Sequence, residues 1–148
     1  MRRVPDENIE QTRTYSRIWV RPECLNLAVE ETVQNPAGDG LCGVVGFHCD
    51  DDDDEGRVDL GYMFLPSVWG RGYATEAVNA ARDAWVADYA GTRSAVPRAG
   101  RNVIWATIYP ENEASRRVLI KCGFTKVREG GDEYGRFEDW SWDVQQLN

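Results

Sequence analysis

The chain is poor in the residues that build metal and redox centres. Among its 148 residues there is one histidine, His48, and the four cysteines, Cys24, Cys42, Cys49 and Cys122, show no C-x-x-C spacing. A structural zinc site needs clustered Cys and His ligands, so no metal is expected. Cysteines scattered through apolar segments behave as small buried hydrophobes. A disulfide framework is not expected in a chain long enough to hold a real core. Long apolar runs are missing too: none approaches the roughly 20 residues that cross a bilayer as a helix. The start, Met1-Arg2-Arg3-Val4-Pro5-Asp6-Glu7, is polar and leads into no apolar secretory core, which predicts a cytoplasmic protein. Internal repeats and low-complexity linkers are also lacking, and the length suits one domain over residues 1–148.

Positive charge is in deficit. Lys and Arg number 17 against 25 Asp and Glu, a formal net charge of -8. Such a surface repels phosphate backbones and anionic lipid, so neither nucleic acid nor membrane is an expected partner, while a cationic amine is weakly attracted. The acidic run from Asp50 to Glu55 lacks the alternating ligands and central glycine of a calcium loop and reads as a solvated hairpin loop. Nucleotide motifs are absent as well. No Lys-Ser/Thr pair follows the second glycine of Gly70-Arg71-Gly72, as a P-loop requires, and G-x-G-x-x-G does not occur there.

What is present is a series of short periodic segments. Alternation predicts strands over Cys24–Val33, Leu41–Cys49 and Arg57–Leu65, which can form an antiparallel meander. The polar residues before Pro22, anchored by Ile9, Ile18, Trp19 and Val20, read as the tail of an amphipathic helix. Ala74, Ala77, Val78, Ala81, Trp85 and Tyr89 recur at helical spacing. A strand over Val103–Tyr109 follows, then a helix over Glu113–Cys122 capped by Asn112 and stopped by Gly123. A final hairpin is expected, with its turn at Gly130-Gly131-Asp132. The strand-helix-strand unit demands a right-handed crossover and a locally parallel pair. The class is α+β, with a mixed, mostly antiparallel twisted sheet.

The chemistry concentrates where a strand, a glycine turn and a helix start follow one another. A helix N-terminus offers unpaired N–H groups and partial positive charge, and glycines let an anion approach the backbone. The amides of Arg71, Gly72, Tyr73, Ala74 and Thr75, with the Arg71 side chain, could hold a pyrophosphate. On its own, this segment reads better as a simple tight turn.

Leu60-Gly61-Tyr62, Pro66 and Trp69-Gly70-Arg71-Gly72-Tyr73-Ala74-Thr75-Glu76-Ala77 resemble the acetyl-CoA signature of the GNAT superfamily of N-acetyltransferases. Trp69 stands where the superfamily pattern has Gln or Arg. Asn112-Glu113-Ala114-Ser115-Arg116-Arg117-Val118-Leu119 and Lys121-Cys122-Gly123-Phe124 resemble a second block of the branch similar to ribosomal-protein N-terminal acetyltransferases. The resemblance runs from about Leu41 to the C-terminus. It implies acetyl-CoA as cosubstrate and an amine acceptor, joined in a ternary complex with direct transfer. It also implies a central β-α-β-α-β-β unit, with Met63, Phe64 and Leu65 presenting main-chain groups to the pantetheine arm. Trp69 to Thr75 would hold the pyrophosphate, and Asn112 and Ser115 would lie near the thioester. Ser115 is the expected donor or acid to the sulfur. Asp59 and His48 are the candidate bases, with Glu111 third, and water-relayed proton removal is the alternative; Tyr109 and Tyr134 are further candidate donors. Cys122 at a helix end, and Trp140 and Trp142 on one strand face, read as core. The family's first strand and helices would be reduced or missing, with residues 1–23 a remnant of that helical region. The edge so exposed predicts a homodimer.

Overall fold

The computed structural model describes residues 25–31, 40–49, 57–89 and 102–144. The expected N-terminal helix tail, the acidic run and most of the arginine-bearing loop after Tyr89 lie outside these residues. Six strands and two helices are described: β1 (Leu25–Glu30), β2 (Leu41–Cys49), β3 (Val58–Phe64), α1 (Tyr73–Tyr89), β4 (Val103–Ile108), α2 (Glu113–Lys121), β5 (Thr125–Asp132) and β6 (Gly135–Asp143). One sheet contains all six strands, in the order β1-β2-β3-β4-β6-β5. Its neighbours are antiparallel except β3 and β4, which are parallel. The mixed, mostly antiparallel α+β class expected from the sequence is what forms.

The ladder registers sort side chains onto two faces. On one face lie Val45, Phe47, Val58, Leu60, Ile104, Ala106, Ile108, Trp140 and Trp142, all buried. Both helices pack on this face. α1 contributes Ala77, Val78, Ala81 and Trp85 from its apolar stripe, and the end of α2 contributes Leu119, Cys122 and Phe124. The Trp85 ring meets Phe47 at a centroid distance of 4.9 Å. Trp140, Trp142 and Cys122 are therefore core residues.

The last hairpin differs from expectation in its turn. β5 runs on through Gly130 and Gly131, and the chain reverses at Glu133-Tyr134, where the Asp132 carboxylate accepts the amides of Tyr134 at 2.8 Å and Gly135 at 3.1 Å. Gly135, at φ 129°, provides the left-handed backbone that the reversal needs. Gly130 serves packing instead: a Cβ there would lie 2.4 Å from Phe137 Cζ on the facing strand.

Candidate functional site

β3 and β4 pair only at Val58↔Ile104 and Asp59↔Trp105. β3 continues to Phe64 and β4 to Ile108, so beyond the paired stretch the strands part and a wedge opens. One wall of the wedge is main chain. The Leu65 amide donates to the Cys42 carbonyl at 2.9 Å, and antiparallel alternation then turns the polar groups of Met63 toward β2 and those of Tyr62 and Phe64 toward the wedge. Of the three residues assigned to the pantetheine arm, Phe64 alone aims its main chain there. Tyr62 joins it.

At the mouth of the wedge is the glycine turn. A single 3-10 turn, Pro66–Val68, leads into it. Gly70 has φ 75° and Gly72 φ 93°, and a Cβ on either would meet nothing within 4 Å, so the turn is open on its outer side. The first α1 bond is donated by Glu76 to the Gly72 carbonyl at 3.1 Å. The amides of Tyr73, Ala74 and Thr75 therefore precede the helical ladder and are oriented as helix N-termini present them to anions. This geometry fits a pyrophosphate bound through main-chain amides.

The cations and polar groups around the turn are already organised. Arg71 Nη2 lies 2.8 Å from Glu31 Oε1, and the Tyr73 hydroxyl donates to the same oxygen. The Arg71 guanidinium stacks on the Tyr73 ring at 5.0 Å. The hydrogen bond from Tyr73, ahead of the Arg71 contacts, holds the Glu31 carboxyl below its usual range. The same bond raises the Tyr73 phenol. Glu31 sits just past β1, forty residues from Arg71, and no local pattern marks it.

The second block builds the other side. Asn112 caps α2: its side-chain oxygen accepts the Ser115 amide at 3.0 Å. Ser115 is half-buried, and its carbonyl accepts the Tyr62 hydroxyl at 3.4 Å. Burial pushes the Tyr62 phenol up. Thus Tyr62, with its backbone at the wedge and its ring on the helix side, ties β3 to the start of α2. Alternation with Val58 and Leu60 marks that ring as facing the helices, and is the one sequence signal for it. Arg116 anchors α2 from below, donating to the buried Glu138 at 3.1 and 3.3 Å and to the Pro110 carbonyl at 2.5 Å. Cys122 is buried, which raises its thiol pKa against the pull of Arg82, as suits a packing residue rather than a nucleophile.

The candidate bases lie on the opposite face. His48 and Asp59 are cross-strand partners, so the sheet brings them together. Asp59 is engaged by Arg57, whose Nε lies 2.9 and 3.0 Å from the two carboxylate oxygens. Arg57 stacks over Trp105 at 4.9 Å and reaches Thr107 Oγ1 at 3.0 Å, beyond the last β3–β4 pair. Burial would raise the pKa of Asp139, but hydrogen bonds from Thr107 and Arg128, with the two guanidinium charges, outweigh it and hold the carboxyl low. Glu111, Tyr109 and Tyr134 gather beside the cap of α2, with Asn112, Gly135 and Arg136, around a surface cavity of about 630 Å³. Among the described residues no group of three or more His, Cys, Asp or Glu side chains could hold a metal, and no helix is long and apolar enough to cross a membrane.

A parted parallel strand pair, opening onto a glycine turn at a helix N-terminus and flanked by an Asn-capped second helix, defines a class of α+β domain with an open cleft between β3 and β4. The chain belongs to the acetyltransferase (GNAT) domain family, whose model matches residues 1–125. That match takes in the first forty residues, which the motif resemblance had left out. Over 86 residues, 58% of this chain, it is 33% identical to the uncharacterized N-acetyltransferase YoaA of Bacillus subtilis (strain 168), a match spanning 42% of that protein's length. Its fold is similar to that of a spermidine N-acetyltransferase from Vibrio cholerae in complex with CoA and spermine, at TM-score 0.72 and 16% identity over 99% of this chain and 82% of that one. It is also similar to a GNAT-family acetyltransferase from Bacillus anthracis, at TM-score 0.63 and 22% identity over 92% and 75% of the two chains.

Proposed function

We propose that this chain is an acetyl-CoA-dependent N-acyltransferase that moves an acetyl group directly to a primary amine within a ternary complex. The observation that carries the proposal is the wedge running into the glycine turn. Main-chain donors and acceptors on Tyr62 and Phe64 suit an amide-bearing arm, and the amides of Tyr73, Ala74 and Thr75 suit the pyrophosphate that follows it. Attack of a neutral amine on the thioester forms the C–N bond and breaks the C–S bond; nitrogen gives up one proton and the leaving thiolate takes one, so the products are the amide and the CoA thiol. Ser115, on the helix side, is the proposed donor to the leaving sulfur. On the opposite face His48 and Asp59 are the candidates for taking the amine proton, with water-relayed removal as the alternative. The neighbour solved with CoA and spermine makes polyamines natural members of an acceptor panel. The Trp-Gly-x-Gly-Tyr-Ala-Thr-Glu-Ala form also supports a place in the branch resembling ribosomal-protein N-terminal acetyltransferases, so peptide N-termini belong in that panel too.

The test is thiol release from acetyl-CoA with monoamines, polyamines and short peptides, alongside calorimetric titration with CoA. Binding together with amine-dependent CoA release is the expected result. Binding without release on any amine would sink the transferase assignment while leaving the cleft assigned. Gly72→Asp should weaken CoA binding by at least tenfold, since it strains a φ of 93° and sets a carboxylate beside the pyrophosphate, roughly 1.4 kcal/mol or more in total. Unchanged affinity would remove the turn from the site.

A further inference from the structure

Trp69 is the residue at which this chain departs from the Gln or Arg of the family pattern, and it does two things at once. Its indole Nε1 donates to the Phe64 carbonyl at 2.8 Å. The residue nevertheless remains 67% exposed, whereas Trp85, Trp140 and Trp142 are buried. The acceptor is not an arbitrary carbonyl: it is the last one that β3 turns toward the wedge. An unpaired strand carbonyl at that position would accept an amide of whatever lies along β3, as a neighbouring strand does. Here the chain's own side chain has taken it.

Given the cofactor reading above, we infer that Trp69 is a positioning residue that sets where the pantetheine arm leaves β3. With the Phe64 carbonyl occupied, the arm's amides are confined to the Tyr62 groups and the Phe64 N–H, and the arm must turn away at this point toward Gly70 and Gly72. The hydrogen bond also pins the indole, so its exposed face forms a fixed apolar wall between the wedge and the pyrophosphate turn. A Gln or Arg there would offer neither the wall nor a rigid donor. Trp69 touches no reacting atom, so it governs cofactor affinity and leaves the acyl-transfer step alone.

Two substitutions separate the donor from the wall. Trp69→Phe keeps an aromatic ring but removes the N–H that pins it; CoA Kd should rise roughly fivefold, because the wall is no longer held in place and the freed Phe64 carbonyl no longer fixes where the arm turns. Trp69→Ala removes both and should raise it roughly thirtyfold. In both, kcat at saturating acetyl-CoA should stay within about twofold of the parent while KM for acetyl-CoA follows Kd. Because the residue is exposed, the circular dichroism spectrum and Tm should be unchanged. Acrylamide quenching supplies a direct signature. CoA should protect an exposed tryptophan in the parent protein, and that protectable component should be missing from Trp69→Phe. Parent-like Kd in both variants, or a fall in kcat at constant Kd, would overturn the inference. Failure of the parent protein to bind CoA would instead bring down the cofactor reading, and this inference with it.

Discussion

At the scale of single residues, the site divides into groups that a local motif marks and groups that only the fold assembles. Asn112 and Ser115 are marked: a capping residue followed at the third position by a polar residue is legible without coordinates, and the Asn112–Ser115 bond forms as the spacing requires. Ser115→Ala should lower kcat by about tenfold or more, toward the range of acid–base contributions, with CoA Kd unchanged, because the cap belongs to Asn112. Stopped-flow or steady-state thiol release checks this, and equal rates would return Ser115 to a purely structural part in the first turn of α2. Glu31 is unmarked, because its partners Arg71 and Tyr73 are some forty residues away. Its effect is readable in a titration. The Tyr73 phenol, raised by donating to Glu31, contributes stability below its unfolded pKa that is lost as pH rises through the raised folded value. The depressed Glu31 carboxyl contributes stability above its unfolded pKa, lost as pH falls through the folded value. Glu31→Gln should therefore bring one tyrosine's ionisation back toward the ordinary phenol pKa. The difference between the ultraviolet titrations of parent and variant isolates it among six tyrosines. Superimposable curves would show that Glu31 does not control Tyr73.

At the scale of elements, periodicity found the strands and helices because each presents one apolar face to one core. Of the predicted stripe of α1, Ala77, Val78, Ala81 and Trp85 are buried and Ala74 is half-buried. The misplaced turn of the last hairpin shows where local signals mislead. Gly130-Gly131 has turn composition, yet Gly130 is needed because the Phe137 ring lies over it, a cross-strand contact that composition does not report. The decisive turn signals were Asp132 and Gly135. The placement of α2 depends on a similar long-range contact. Glu138, 4% exposed, receives Arg116 from α2 and the Trp140 indole N–H at 3.2 Å on its own strand. Glu138→Gln leaves the Arg116 charge without its main partner. Arg116 is partly exposed and keeps its ion pair with Glu113, so a modest loss of stability is expected, well short of that for breaking a fully buried pair. Urea unfolding should show the midpoint falling with an unchanged m-value. CoA affinity should weaken alongside if α2 loses its seat, and a variant as stable as the parent would show the pair to be dispensable.

At the scale of the whole molecule, the parallel β3–β4 pair was foreseeable from chain order, since a strand-helix-strand unit admits little else. Its parting after two residue pairs was not, nor was the insertion of β6 between β4 and β5. Both depend on how six strands twist together. Net charge, by contrast, is read directly from composition, and it carries a consequence for the proposed reaction. A formal charge of -8 should gather cationic amines and repel anionic cosubstrate at long range. The short-range cradle of helix amides must then hold acetyl-CoA against the overall field. Screening acts on the first effect over distances that shrink from about 30 Å at 0.01 M salt to about 8 Å at 0.15 M. For any amine that is turned over, KM should therefore rise with ionic strength, and more steeply for a polyamine than for a monoamine, because the attraction scales with ligand charge. KM for acetyl-CoA should respond far less, since reduced repulsion offsets weaker local contacts. Steady-state kinetics across a salt series with one monoamine and one polyamine measures both slopes. Equal slopes for the two amines would mean that the acceptor is recognised by close contacts alone, with the acidic surface playing no part in its capture.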